Sequence, residues 1–571
     1  MASKTKTSSP ERKAASKKAQ QQQDASPTFG KTAFLVLAVA LGVYVYKTNL
    51  LSSLFPQTLV VEVDDEPAPA EAVEIVADVE KRDAVVGAFK HAWAHYEKYA
   101  MGSDEYHPVT KKGSNFSEHG GIGYTVIDAI DTMQIMGLKK EYQSARNWLA
   151  TKQTFDRDNN YNTFETTIRV LGGLLSAYHL SGKDALYLQK AQDLADRMMP
   201  VFETPSGLPY SMANLGKRQA VDDPNVPYLV STAEATTLQL EFKYLSQLTG
   251  NKKYWEKAEK VMDVVKKAHR PKGLAPIYMD ARTGEFSPSA EIRLGSRGDS
   301  FYEYLLKQYL LTKRTEPKYL EFYKETMTAI HDNLVQRGLS KNHAYIAELQ
   351  PERNADGTVD WKLNHKQDHL VCFLAGSLML GATTTGATVP RTSIPPKTSE
   401  LTATGLRDWQ LGEELLKTCL HTHETATGLS PEIAYFFHDK RKWRHPKRDW
   451  YIYGNDFPGT PSYDARYILR PETIESLFIA YRLTGDNKYR EAGWKIFQSI
   501  EKYCKVEDGG YSSILNTDHV NTIKMDKMET FFLSETLKYL YLLFTDSSVI
   551  PLSKYVFNTE AHPIPVFTPT K

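Results

Sequence analysis

Acidic residues recur in this 571-residue chain inside helical stretches that are otherwise apolar. The stretch GYTVIDAIDTMQIMG carries Asp128 and Asp131 among apolar neighbours. FETTIRVLGGLL sets Glu165 and Arg169 at i and i+4, on one helical face. LGSRGDSFYEYLLK gathers Arg297, Asp299 and Glu303 around a glycine-rich helix start. LRPETIESLF places Arg470, Glu472 and Glu475 on a first turn, with Pro471 near its first position. METFFLSETLKYLYLLF carries Glu529 and Glu535 on a greasy helix. Each alone reads as a cap or a surface ion pair, since first turns favour acidic side chains. Five such insertions, several beside an arginine, call for a common cause. Collected in one cavity they would serve acid–base catalysis by paired carboxylates, or bind a hard cation through oxygens.

The elements that must collect them are helical hairpins. GLLSAYHLSGKDALYLQKAQDLADRMM, LQLEFKYLSQLTGNKKYWEKAEKVMDVVKK and SLFIAYRLTGDNKYREAGWKIFQSIEKY each show an apolar helix, a glycine turn and an amphipathic helix. The turn glycines are Gly182, Gly250 and Gly485, and a shorter copy surrounds Gly137. Glycine suits the left-handed residue that ends a helix. A degenerate copy, residues 305–327, lacks the glycine. Strand-like alternation is scarce, so the class is all-α. Such hairpins stack as an open solenoid or close into an αα-toroid; irregular spacing and long motif-bearing loops favour the toroid. Residues Gly381–Gly405, rich in Thr and holding Pro390, Pro395 and Pro396, read as a poorly ordered, exposed insertion.

Charge is balanced overall, with Lys+Arg 70 and Asp+Glu 69, so no global field exists to hold nucleic acid. The basic run KRKWRHPKR (440–448) reads as a solvated face. Asymmetry is concentrated at the N-terminus. Residues 1–31 form a basic tail expected to stay disordered, and residues 32–55 an apolar signal anchor. The rival reading of that run, a cleaved signal peptide, lacks a clean A-x-A site. Residues 56–82 form an acidic, self-repelling stem, and the folded body is expected from residue 83 to 571. The positive-inside rule then keeps the tail cytosolic and the body in a lumen. An oxidising lumen permits a Cys372–Cys419 bridge around the Thr-rich insertion, with Cys504 free; the alternative is three buried thiols. Asn115-Phe116-Ser117 is a sequon in that orientation. No zinc ligand quartet surrounds His421 and His423.

The same acidic stretches carry a family resemblance. FETTIRVLGGLLSAYHLSG, LGSRGDSFYEYLLKQ, DHLVCFLAGSLMLG, TGLSPEI, LRPETIESLF, FFLSETLKYLYLLF and YVFNTEAHP occur in the order seen in class I α-1,2-mannosidases, glycoside hydrolase family 47. The resemblance runs from about residue 83 to 567. It implies an (αα)7 barrel behind a type II anchor, and removal of α-1,2-linked mannose with inversion, using Ca²⁺. Thr559 matches the threonine that binds the ion through hydroxyl and carbonyl oxygens, with waters completing the shell. Glu475, Glu535 and Glu560 match carboxylates that hold those waters or sugar hydroxyls. Glu472 matches the general base, and Asp299 and Glu165 the two candidates for the acid. His369 and Glu432 match active-site residues, and Phe531 the aromatic under a bound sugar. Asp128, Asp131 and Glu303 join the substrate-binding set. Arg169, Arg297 and Arg470 are expected on sugar hydroxyls and carboxylates. Cys372 and Cys419 match the family disulfide. Arg at position 297 resembles the endoplasmic reticulum type, which removes one mannose of nine, rather than the Golgi type, which trims to five.

Two other functions compete: a degradation-enhancing, lectin-like relative that recognises glycans with weak or no hydrolysis, and an αα scaffold for peptides. The intact acidic set argues against both. The expectation is a monomeric catalytic domain, anchored in the endoplasmic reticulum membrane by one N-terminal helix, acting on high-mannose N-glycans of glycoproteins. The chain ends without a KDEL-type signal, so retention is expected from the anchor or from partners.

Overall fold

The computed structural model describes residues 73–439, 448–455 and 462–570. The predicted tail, anchor and most of the stem, and the basic run up to residue 447, lie outside these. Among the described residues no helix is long and apolar enough to cross a membrane.

The body alternates two kinds of helix. One kind comprises α1 (Val79–Ala100), α3 (Lys139–Thr151), α5 (Ala185–Met198), α7 (Lys252–Lys267), α9 (Pro317–Asn333), α11 (Ala403–Thr422) and α13 (Asn487–Tyr503). Their apolar residues follow one stripe: α7 buries Tyr254, Ala258, Val261, Met262 and Val265 and leaves its lysines outside. The other kind comprises α2 (Tyr124–Ile135), α4 (Gly172–Leu180), α6 (Gln239–Thr249), α8 (Asp299–Leu311), α10 (Phe373–Thr384), α12 (Glu472–Thr484) and α14 (Leu537–Phe544). These are buried almost all round, as the sequence FLAGSLMLGATT of α10 requires. Each even-numbered helix packs on the next, from α2 through α4, α6, α8, α10 and α12 to α14, and the turn before α14 packs back on α2. Each is backed by an odd-numbered partner, with α1 covering α14. Among the described residues the result is a closed ring of seven inner helices inside seven outer ones.

The hairpin glycines do what their chemistry allows. Gly250 and Gly485 end α6 and α12 at φ 73° and 67°. Where the α8–α9 turn lacks glycine, Lys313 and Arg314 take φ 53° and 62° instead.

Three expectations need correction. The folded body starts before residue 83: Ile75 is buried, and Asp78 caps α1 by accepting from the Lys81 N–H. The Thr-rich segment is no loose excursion. Gly381–Thr384 finish α10, Ala403 begins α11, and the loop between is stapled. Thr402 N–H donates to Gly386 C=O at 2.7 Å and Thr388 N–H to Glu400 C=O at 2.8 Å. The carboxylate of Glu400 accepts from Ser393 and Lys397. The Cys372–Cys419 disulfide ties the start of α10 to α11, with Cα atoms 6.0 Å apart, and Cys504 is a buried free thiol. Lastly, the fold is mostly helical rather than purely so. Strands of two to six residues decorate the helix ends. One three-stranded sheet joins Lys366–Asp368, Ile433–Phe436 and Trp450–Tyr451; another joins Asn160–Asn162, Met212–Asn214 and Gln219–Val221. The hairpin Tyr555–Phe557/Pro563–Pro565, with Val556 opposite Ile564, packs on α4 and α8.

Candidate active site

The inner helices α4, α8, α12 and α14 turn their N-terminal ends to one cavity of about 270 Å³. Helix N-termini favour carboxylates, and the acidic motifs sit there. Asp299 opens α8, with Glu303 one turn on; Glu472 opens α12 behind Pro471, which occupies the N-cap rather than the first turn. Glu165 precedes, and Arg169 lies within, a π-helical turn, Thr166–Leu171, that leads into α4. A second π-helical turn, Phe532–Thr536, carries Glu535 into α14. Such turns widen a helix by one residue and are common at functional sites. Thr559 and Glu560 enter on the turn of the C-terminal hairpin. Three non-glycine residues beside these groups hold positive φ: Arg297 at 71°, Leu469 at 68° and Ala561 at 58°. Such backbone costs about 1–3 kcal/mol each and persists where the surroundings enforce it.

The cavity holds more carboxylates than cations. Arg169 donates from Nε to Glu165 at 2.7 Å and from Nη1 to Glu560. Arg470 gives its hydrogen bonds to Glu432, at 3.0 Å from Nε to Oε2, and stands 3.6 Å from Glu472. Lys307 pairs with Glu303 and lies 3.7 Å from Glu475. Both arginines lie over Phe531, at 5.6 and 5.8 Å from its ring centre. Burial pushes Asp299 and Glu472 up to about 7, against the pull of Arg470. Burial, then repulsion from Glu303 and Glu472 against Lys307, takes Glu475 to about 8. Glu535 and Glu560 are raised well above the usual carboxylate range, first by burial. Thr559 Oγ1 donates to Glu303 Oε2 at 2.7 Å. The donor set is therefore oxygen-rich and short of positive charge, which fits a hard cation rather than a soft one. Among the described residues no group of three acidic, imidazole or thiol side chains is arranged to hold a metal ion by itself. Thr559 with waters is compatible with that.

Of the residues singled out by sequence, Glu165, Arg169, Arg297, Asp299, Glu303, Arg470, Glu472, Glu475, Phe531, Glu535, Thr559 and Glu560 line the cavity. Asp128 and Asp131 do not, a correction to their assignment as sugar ligands. Both are fully buried behind Arg169, bonded to His562 at 3.1 and 2.7 Å, with Lys538 2.9 Å from Asp131. An acidic pair on an apolar helix looks alike in sequence whether it faces a cavity or a buried cation. His369 also sits behind the wall, with Nε2 3.2 Å from Thr473 Oγ1 and 3.8 Å from Glu472; burial, His423 and Arg470 hold it well below its usual range. Glu432 stands behind Arg470. Sequence reasoning missed Glu234, which lines the cavity and lies 3.3 Å from Arg297. Its signal was disguised: with Ser231 three residues earlier it reads as a capping pair, and Ser231 Oγ does accept from the Glu234 N–H.

Comparison with known proteins agrees with this geometry. The model of glycosyl hydrolase family 47 matches residues 88–566. A mannosyl-oligosaccharide 1,2-alpha-mannosidase of Arabidopsis thaliana is 45% identical over 510 residues, covering 85% of this chain and 79% of its own. An endoplasmic reticulum mannosyl-oligosaccharide 1,2-alpha-mannosidase of Schizosaccharomyces pombe is 42% identical, covering 87% and 92%. The solved alpha-1,2-mannosidase from Trichoderma reesei superposes with a TM-score of 0.74 at 26% identity, over 86% of this chain and all of that one. The fold and the cavity are those of a glycoside hydrolase. The chain belongs to glycosyl hydrolase family 47.

Proposed function

We propose that this enzyme hydrolyses terminal α-1,2-linked mannose on high-mannose N-glycans, with inversion and with calcium, taking nine mannoses to eight in the endoplasmic reticulum. One observation carries the catalytic reading: Glu472 lines the cavity, and its Oε2 has no hydrogen-bond partner among the described residues. An unpaired carboxylate oxygen with a pKa near 7 suits a base that takes a proton from water. Asp299 is the better placed acid. Burial holds it near 7, so it carries a proton for part of the time at neutral pH, whereas Glu165 is bonded to the Arg169 guanidinium. An inverting pair needs room for water between its carboxyl groups, and the acid can act through a further water. Phe531 supplies a flat apolar surface for the sugar ring, and Arg169 and Arg470 beside it supply donors for hydroxyls.

Thr559 would hold Ca²⁺ through its hydroxyl and carbonyl oxygens, with Glu303, Glu475, Glu535 and Glu560 orienting waters around it. The ion supplies positive charge and fixes oxygen ligands where carboxylates are in excess. The relatives named as endoplasmic reticulum enzymes support that compartment, and the apolar run at 32–55 supports a single anchor facing the body to the lumen. The test is a time course on a nine-mannose N-glycan with calcium, after EDTA treatment, and after EDTA with calcium restored. One mannose should be released as the β-anomer, with activity lost to EDTA and recovered with calcium better than with zinc. Full activity after exhaustive chelation, or retention of the anomer, overturns this reading.

A further inference from the structure

The turn that carries Thr559 is held from beneath by fully buried charges. Lys538, the second residue of α14, has no exposed surface, and its Nζ donates to the C=O of Ala561 at 2.7 Å. The same ammonium lies 2.9 Å from Asp131 Oδ1 on α2, and Asp131 Oδ2 is 2.7 Å from Nδ1 of His562. Asn558 completes the hold: its Oδ1 accepts from the N–H groups of Glu560 and His562, and its Nδ2 donates to Glu241 on α6 at 2.7 Å. Ala561 between them is at φ 58°, a conformation that an unheld alanine leaves.

A buried ion pair is costly, and apolar side chains of similar volume in place of both Lys538 and Asp131 would be about as stable or more so. What an apolar side chain cannot do is fix a carbonyl. We infer that Lys538 is a positioning residue that holds the Asn558–His562 turn in its strained form and so presents the two oxygens of Thr559 to the cation. The inference rests on the reading of Thr559 given above. Lys538 does not line the cavity, so it acts through the turn and not on the sugar. Residues that orient metal ligands typically change metal affinity about 10–100-fold when replaced.

The experiment is calorimetric titration of calcium into the chelator-treated full chain, wild type against Lys538→Met, below the unfolding temperature of both. The expected result is a calcium Kd weakened about tenfold or more. High calcium should return turnover and KM to within about twofold of wild type, because binding of the sugar is untouched. A merely structural lysine would lower the unfolding temperature and leave Kd unchanged, and that outcome overturns the inference. Should Lys538→Met fail to fold, the double variant Asp131→Asn/Lys538→Met removes the orphaned charge and is read the same way. Failure of both to fold assigns Lys538 to stability and also overturns it. Absence of calcium binding by the wild type would instead overturn the reading of Thr559.

Discussion

Arg470 stands 3.6 Å from Glu472 yet spends its hydrogen bonds on Glu432. Glu472 therefore feels a positive charge without being tied to it. A carboxylate locked in a bidentate pair would be too weakly basic and too well occupied to take a proton from water. The cost of freedom is a buried charge, which is why its pKa lies near 7.

Glu472→Gln keeps the shape and removes the proposed base. Turnover should fall about 10²–10⁴-fold while glycan affinity is largely kept. Single-turnover kinetics and equilibrium binding of the nine-mannose glycan separate the two; normal turnover would assign the base elsewhere.

Glu432→Gln should release Arg470 toward Glu472. An added hydrogen bond and the loss of a neighbouring negative charge both favour the ionised base, so its pKa falls. The acid limb of the pH profile of kcat/KM should move to lower pH by roughly one unit. A limb that stays in place, or moves up, contradicts the arrangement.

Arg297→Leu tests specificity. The guanidinium lies 3.3 Å from Glu234, over the Tyr278 ring at 5.3 Å, and is partly exposed at the cavity mouth. On the reading proposed above, this exposed guanidinium, which lines the cavity, binds hydroxyls of a glycan branch. The first cleavage should slow about tenfold or more, and products should spread toward five mannoses. A wild type that runs quickly to five mannoses, or a variant with an unchanged product pattern, rejects the assignment.

Asp131 links acidity to stability. Burial alone would raise its pKa, but Lys538 and His562 outweigh that and hold it at about 2, below the usual 3.8. Because the folded value is depressed, its contribution is complete above about pH 4 and is lost as pH falls toward 2. It amounts to about 2 kcal/mol. Asp131→Asn should be destabilised at neutral pH and should lack that part of the acid dependence in urea unfolding. Parallel stability curves for the two proteins between pH 4 and 2 would refute this.

The disulfide spans 47 residues, a loop whose closure is worth about 4 kcal/mol in the chain-entropy model. That term acts on the unfolded chain, and native disulfides commonly deliver somewhat less than it, so Cys372→Ala/Cys419→Ala should lose about 2–4 kcal/mol by guanidinium unfolding. A loss below about 1 kcal/mol would show that the bridge does not restrain the unfolded chain.

Much of this was legible in the sequence, and what was not has physical reasons. Gly250 and Gly485 announced their hairpins because glycine alone takes the left-handed turn freely; Lys313 and Arg314 adopt similar conformations and gave no such sign. Glu303 and Glu475 stood out as charges on apolar helices. Asp131 stood out equally, since its partner His562 lies 431 residues away and no local pattern encodes that contact. Glu234 passed as a cap because it is near one. The short strands escaped because two to six residues are too few to display an alternation.

The chain meets itself last where it matters most. Helix α14, late in the chain, must find α1, and only after it comes the turn bearing Thr559 and Glu560. Synthesis proceeds from the N-terminus, so every other wall of the cavity is made before that turn leaves the ribosome. A chain terminated after α14 would hold the whole ring of helices and Glu472, Asp299 and Glu165, yet lack the oxygens assigned to the cation. If that cation is required as proposed above, hydrolysis is conditional on translation reaching this hairpin, and chains stopped before it would be inert.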